Sequence, residues 1–438
     1  MTLSTAIRAA RIKHGRAREF RLTIAALSVP ARDRPSLLPI FLIVLVDVFG
    51  MTLVLPLLAI YAETFAATPL QATLLVSAFA ACQLVSGPLI GYASDRTGRK
   101  LMLIVSQVGT LIGFIVLGRA TALWMIFVSR IIDGSTAGNL SLAQAYIADN
   151  TPPQERGKAF GLIGIAFGLG FFVGPALTGL LSARFGLRTP IYLASAMSFT
   201  SIVCTATLLK GDAPSVKSAA DRWEALEWKT YAKYFARPGL RERLLQFLYF
   251  VLAFSTFISG FALFAERRFV WNGHPFGPRE IGLLFGYFGF LGIILQGGFL
   301  GRLIKKFGEP TLVGVGFLSL AIGHVLLGLT GSVVLLVLAS TVAAFGSGVI
   351  CSTLTSLISQ HAGSEEQGVV LGLMQSLMSI TAIVMPIVAG VLIEHRWLAV
   401  WAWVPAAAAL CGLISARNTV RAGADTPMPG LAGGVAID

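Results

Sequence analysis

The stretch GYASDRTGRK, Gly91 to Lys100, lies between two long apolar runs. It holds one acid, three bases and two glycines, in a chain of which 55% is hydrophobic. A turn between helices needs only a few polar residues. An acid, two glycines and a basic cluster at fixed spacing therefore ask for a second role.

Outward from that stretch, apolar runs recur along all 438 residues. Runs of about twenty residues are long enough to cross a bilayer as helices. Only 13% of residues are charged, about half the share usual in soluble domains. The reading is an all-α integral membrane protein with twelve transmembrane helices in two six-helix bundles. The expected spans are 37–62, 70–93, 101–119, 121–148, 158–182, 189–209, 242–265, 280–303, 310–330, 332–359, 367–393 and 397–416. The expected organisation is a basic tail at 1–36, a first bundle at 37–209, a central loop at 210–241, a second bundle at 242–416 and a tail at 417–438. Residues 1–36 carry no short apolar core followed by a small-residue cleavage site, so they read as a tail and not as a cleavable signal.

The net charge of +13 could suggest a nucleic-acid partner. With the N-terminus placed inside, however, most Lys and Arg fall in the two tails, the central loop and the loops on that same side. This is the bias that fixes membrane topology. The expectation is therefore a multi-pass protein of the cell inner (plasma) membrane with both termini cytoplasmic, a lipid bilayer around it and no nucleic acid bound. The four cysteines, Cys82, Cys204, Cys351 and Cys411, sit inside apolar runs without metal-ligand spacing and read as small hydrophobes. No metal, ATP-binding loop, catalytic residue or bound cofactor is expected, with a proton gradient as the energy source; the protein is read as a monomer and not an enzyme.

The halves resemble each other. A shift of 211 residues brings Glu155, Gly161, Pro175 and Gly179 onto Glu366, Gly372, Pro386 and Gly390; a shift of 210 places Gly91 and Gly98 on Gly301 and Gly308. The opening loop thus has a second copy, GRLIKKFGEP, with Lys305 where the first has Asp95. Two six-span repeats of one orientation imply a transport architecture with a site near the midplane between them.

The pattern resembles the major facilitator superfamily. GYASDRTGRK matches that family's Gly-x-x-x-Asp-Arg-x-Gly-Arg-Lys loop at every fixed position, and SRIIDGSTAGN in the fourth span resembles its Arg-x-x-x-Gly motif through Arg130 and Gly134. GFFVGPALTG in the fifth resembles the antiporter motif through Gly170, Gly174, Pro175 and Gly179; DVFGMTLVLPLL in the first resembles the drug-efflux pattern through Asp47, Gly50 and Pro56. Residues 130–180 are most similar to the tetracycline-resistance-like exporters. Two positions depart from the pattern: Thr178 stands where a glycine is common, and Asp133 where such exporters more often have a neutral residue.

The resemblance implies proton-coupled export of a small organic solute or drug by alternating access. It also implies gating roles for the Gly91–Lys100 loop. Asp95 would cap the inner end of the eleventh span and latch the inner gate, while Arg96 or Arg99 pairs with Asp149. A cap or pair at a partly exposed site is worth about 0.3–2 kcal/mol, small enough to open every cycle. Gly98, Arg99 and Lys100 supply the turn and the positive-inside charge. An importer or facilitator on the same fold, and a non-transporting receptor or scaffold, remain as alternatives.

Ionisable groups at bilayer depth cost about 2.5–3.5 kcal/mol even on lenient scales, so each needs a reason. Asp47 in the first span is the first candidate for the coupling proton. Arg130 and Asp133 share a helical face three residues apart, either as a permanent neutralising pair or as a second proton site. His324 in the ninth span reads as packing or cavity. Gln83, Asn139, Gln144, Gln246, Gln296 and Gln375 either line the cavity or join helices. Glu266, Arg267 and Arg268 close the outer end of the seventh span.

Overall fold

The computed structural model describes residues 38–151, 156–209, 234–361 and 367–421. The tail at 1–36, most of the central loop, the end of the second tail and the repeat residues Glu155 and Glu366 lie outside the described residues. The first half comprises α1 (Leu38–Val54), α2 (Leu58–Glu63), α3 (Pro69–Thr97), α4 (Arg99–Gly118), α5 (Leu123–Ser135), α6 (Asn139–Asn150), α7 (Arg156–Phe185) and α8 (Arg188–Leu208). The second comprises α9 (Leu240–Arg268), a hairpin of β1 (Val270–Trp271) and β2 (His274–Pro275), α10 (Pro278–Ile294), a π turn (Leu295–Phe299), α11 (Leu300–Phe307), α12 (Glu309–Leu329), α13 (Val333–His361), α14 (Gln367–Glu394) and α15 (Leu398–Arg421).

Among the described residues, ten stretches are long and apolar enough to span a membrane without interruption. The predicted first and fourth spans instead form two shorter helices each, and side chains from other helices take up freed backbone groups at both breaks. Pro56 has no N–H to continue the first helix. Leu57 N–H turns back to Val54 O at 3.1 Å, and the Leu53 carbonyl takes the Thr178 hydroxyl at 2.7 Å. In the fourth span the break falls at Thr136–Gly138. There the Ser106 hydroxyl donates to Thr136 O and accepts the Gly138 N–H at 2.9 Å, so the interrupted backbone stays satisfied.

The repeat is visible in the backbone. Gly98 has φ 97° and ψ 146°; its copy Gly308 has φ 76° and ψ 152°. Both end one helix and begin the next with left-handed geometry that a Cβ disfavours. Each N–H donates to the carbonyl four residues back, Ser94 and Ile304 respectively.

Within the halves, α4 packs on α5 and α8, and α12 on α13 and α15. Two pairs make the most extensive contacts between the halves, α3 with α14 and α7 with α10, and α9 adds smaller ones to α2 and α3. Both large pairs meet at the end away from the Gly91–Lys100 loop. There Ser77 Oγ donates to Ile383 O at 2.7 Å, and a Cβ at Gly282 or Gly289 would run into the α7 backbone. Along the same helix stripes toward the loop, contact ceases. A Cβ at Gly164, Gly297, Gly301 or Gly372 would meet nothing within 4 Å, and Leu84, Ile165, Gln296 and Gln375 are exposed. The two halves are closed together at one end and parted at the end that carries the loop.

Candidate functional site

The polar cluster at the centre of the first half is assembled from α1, α4, α5 and α8. Asp47, nearly one helical turn from the Gly50 that lets α1 lie against Phe114 and Ala194, has the side chains of Ser201 and Gln107 as hydrogen-bonding neighbours and lies within electrostatic range of Asp133. Gln107 Nε2 donates to Ser201 Oγ at 2.8 Å, and Ser201 Oγ in turn points to Ile43 O at 3.4 Å. Asp47 itself is partly accessible.

Arg130 and Asp133 are each 6% exposed and pair with each other at 3.2 Å. Arg130 also lies over the Phe114 ring at 5.8 Å. Its Nη2 has no hydrogen-bond partner among the described residues. In this state Arg130 pairs with Asp133, and Asp47 has the neutral side chains of Ser201 and Gln107 beside it. A carboxyl held by hydroxyl and amide groups gains a full negative charge when it loses its proton, and neutral donors of this kind can solvate that charge.

The fifth-span motif grips two different neighbours. A Cβ at Gly170 would come within 2.5 Å of Val48 Cγ1, and one at Gly174 would overlap the Thr52 hydroxyl, so these glycines let α7 touch the helix that carries Asp47. Gly179 and the Pro175 carbonyl face α10 of the other half, with Pro278 and Arg279 carbonyls 2.9 Å from a Cβ at Gly179. The departure Thr178 adds a packing bond to Leu53 O, in keeping with a change of packing alone.

The loop residues also find partners. Arg99, 6% exposed, is the hub: Nη2 reaches Asp95 at 2.6 Å, Nε reaches Asp149 at 2.9 Å and Nη1 donates to Ser94 Oγ at 2.6 Å. Of the two bases expected to meet Asp149, Arg99 does so; Arg96 lies 4.3 Å over the Tyr92 ring. Lys100 caps the end of α8 by donating to Ala206 O and Leu209 O at 2.8 and 2.7 Å. In this loop-open arrangement Asp95 engages its own half. The second copy carries a link between the same two positions, with an acid and a neutral amide in place of the ion pair. Glu309, the counterpart of Arg99, accepts from Ser356 at 2.8 Å and from Gln360, the counterpart of Asp149, at 3.1 Å.

The expected cavity set divides. Gln144, Gln296 and Gln375 are exposed, and Gln83 and Asn139 are partly buried. Gln296 sits on the π turn with Gly297 and Gly298 beside the parting of α7 and α10. Gln246 and His324, offered as cavity or packing residues, take packing positions in this state. Gln246 is wholly buried, accepting from Arg243 Nη1 at 2.9 Å and donating to Thr419 at 3.0 Å; it joins α9 to α15. His324 is 2% exposed, its Nδ1 on Leu320 O at 2.9 Å and its ring edge-on to Phe257 at 5.7 Å. Both fit residues that pack helices together. The sequence reading missed Gln107 and Ser201; a carboxamide inside the third apolar run was the available signal.

The family model described as Major Facilitator Superfamily matches residues 40–375 and 269–422. The tetracycline resistance protein, class B, of Escherichia coli is 27% identical over 384 residues, covering 85% of this chain and 92% of that protein. Multidrug resistance protein 2 of Bacillus subtilis is 29% identical over 365 residues, covering 81% and 89%. Among solved structures, the human organic anion transporter MFSD10 aligns with a TM-score of 0.66 at 23% identity, covering 88% of this chain and 100% of that one. A bacterial homolog of the human lysosomal transporter Spinster, in an inward-facing and unoccupied conformation, aligns with a TM-score of 0.70 at 16% identity, covering 90% and 98%. With two repeats parted at one end, the intact loop motif and a family match over most of its length, this chain is a multi-pass membrane transporter of the Major Facilitator Superfamily.

Proposed function

We propose that the protein exports a small organic solute of the amphipathic, aromatic drug type in exchange for protons. The observation that carries this reading is the cluster of Asp47 with the buried Arg130 and Asp133 in the first half, in a molecule parted at its loop-bearing end. The relatives named for tetracycline and multidrug resistance support the choice of cargo class. On this reading twelve spans cross the cell inner membrane, the first and fourth as interrupted helices, with both termini cytoplasmic and the parted end facing the cytoplasm. The chain works as a monomer and needs no cofactor beyond the proton gradient.

Cargo enters from the cytoplasm while Asp47 is deprotonated. The halves then tilt, the loop-bearing ends close and Asp47 meets the outer side, where a proton replaces the cargo. One charge moved through 100 mV is worth about 2.3 kcal/mol, to which a pH difference adds. Inside-out vesicles test direction and coupling together. Tetracycline should accumulate when the lumen is acidified and stop when a protonophore collapses the gradient. Equal movement with and without the gradient would instead mark a facilitator, and accumulation driven by the opposite gradient an importer.

A further inference from the structure

At the closed end, away from the Gly91–Lys100 loop, two carboxylate contacts cross between the halves. Glu394 at the end of α14 accepts the Leu70 N–H at 3.1 Å, at the first turn of α3. Arg267 of α9 pairs with Glu63 of α2. The same guanidinium reaches Glu266 through Nη1 at 3.3 Å, and Glu63 and Glu266 are within hydrogen-bonding reach of each other. One cation therefore serves two acids, with the three side chains only 19–31% exposed.

The surrounding groups do not supply the missing charge. Arg268 is turned to Thr330 O at 3.0 Å and Gly328 O at 3.4 Å. Arg188 donates to Ala120 O, Glu280 caps α10 at Gly277 N–H, and Glu394 is spent on Leu70. His274 on the hairpin and Arg279 on α10 form no ion pair with either acid among the described residues. Two ionised carboxylates facing each other in a partly dry interface repel, and one proton between them turns repulsion into a hydrogen bond.

We propose that Glu63, Glu266 and Arg267 form a proton-sensitive clasp on the outer gate, which closes with one proton taken from outer water and shared by the two acids. Glu63 belongs to one half, and Glu266 and Arg267 to the other. Parting of the outer ends therefore separates the acids and returns the proton to water. The closed gate binds more protons than the open one, so outer acid favours closure and resets the carrier toward the parted-inside state. This inference rests on the alternating-access reading above, but not on which group carries the transported proton.

The test uses the full chain in nanodiscs with its native cysteines replaced and spin labels at Thr121→Cys and Asn272→Cys, one on each half at the closed end. Asp47→Asn is included to silence the central carboxyl. The ratio of open to closed distances should rise between pH 6 and pH 8, by at most about tenfold per unit for one linked proton. Adding Glu266→Gln should flatten that rise and keep the gate closed, because Glu63 and Arg267 then balance one to one. Glu63→Gln should raise the open fraction at every pH, with elution as a monodisperse peak checking that each variant folds. An unchanged pH slope in Glu266→Gln overturns the clasp, as does a pH-independent ratio in its parent. Failure of proton-driven tetracycline accumulation in liposomes, with the distance response intact, would instead overturn the export reading and leave the clasp standing.

Discussion

The two halves share a backbone plan and differ in where they put charge. In the first, Asp47, Arg130 and Asp133 lie deep among apolar helices, with Gln107 and Ser201 as neutral partners. At the corresponding depth of the second, the described residues offer an aromatic wall in place of charge. Phe257, Phe261, Phe285 and Phe288 contact one another at centroid distances of 4.7–6.4 Å, with His324 edge-on against Phe257. One repeat has kept the costly groups that can hold a proton. The other presents a packed apolar surface at the same depth. The change from the Arg99–Asp149 ion pair to the Glu309–Gln360 hydrogen bond makes the same point at the loop-bearing end: the link between the two positions is retained while its charge differs.

The most severe way to break this comparison is to neutralise the first half. Asp47→Asn should reduce gradient-driven tetracycline transport to the level of empty liposomes, while the protein still elutes as a folded monomer. Normal accumulation would place the proton elsewhere. Next, Arg130→Met leaves Asp133 buried and unpaired and should destabilise the protein by about 3–5 kcal/mol in a denaturation assay. The double variant Arg130→Met, Asp133→Leu should recover most of that stability but not coupled transport. Recovery of both would reduce the pair to packing.

At the contact between the halves, Gly282→Val should push α7 and α10 apart at the closed end, since a Cβ there would already overlap the Pro175 carbonyl. Overpacking of this kind costs about 1–3 kcal/mol, and spin-label distances should shift toward outward opening. Gly297→Ala, with open space around it in this state, should leave the distances unchanged. Asp95→Asn should slow transport by about thirtyfold at most, the equivalent of about 2 kcal/mol at a cap or pair. Smallest of all, His324→Phe should alter transport less than about twofold and leave its pH profile intact, because the ring is sealed among apolar groups. A displaced profile would bring the second half into the proton path.

Much of this contrast was legible in the sequence because its signals are local. The apolar runs, the left-handed glycines at Gly98 and Gly308 and the three-residue spacing of Arg130 and Asp133 each follow from short-range geometry. The interruptions were not legible. The break at Thr136–Gly138 depends on Ser106 arriving from another helix, and the Leu53 carbonyl is released only because Thr178 is there to take it. The same reason separates the polar residues. Gln246 and Gln296 look alike within apolar runs, yet one is sealed by Arg243 and Thr419 and the other stands open on a π turn. Glu63 and Arg267 are separated by 204 positions, so nothing in the spacing announces the pair.

The central claim is that cargo and proton compete through the first half alone. Its most direct measurement is proton release in weakly buffered detergent solution when tetracycline is added to purified protein. Wild type should release protons in proportion to cargo bound, and Asp47→Asn should bind cargo with no release. Undiminished release from Asp47→Asn, or binding by wild type without any release, would contradict the account.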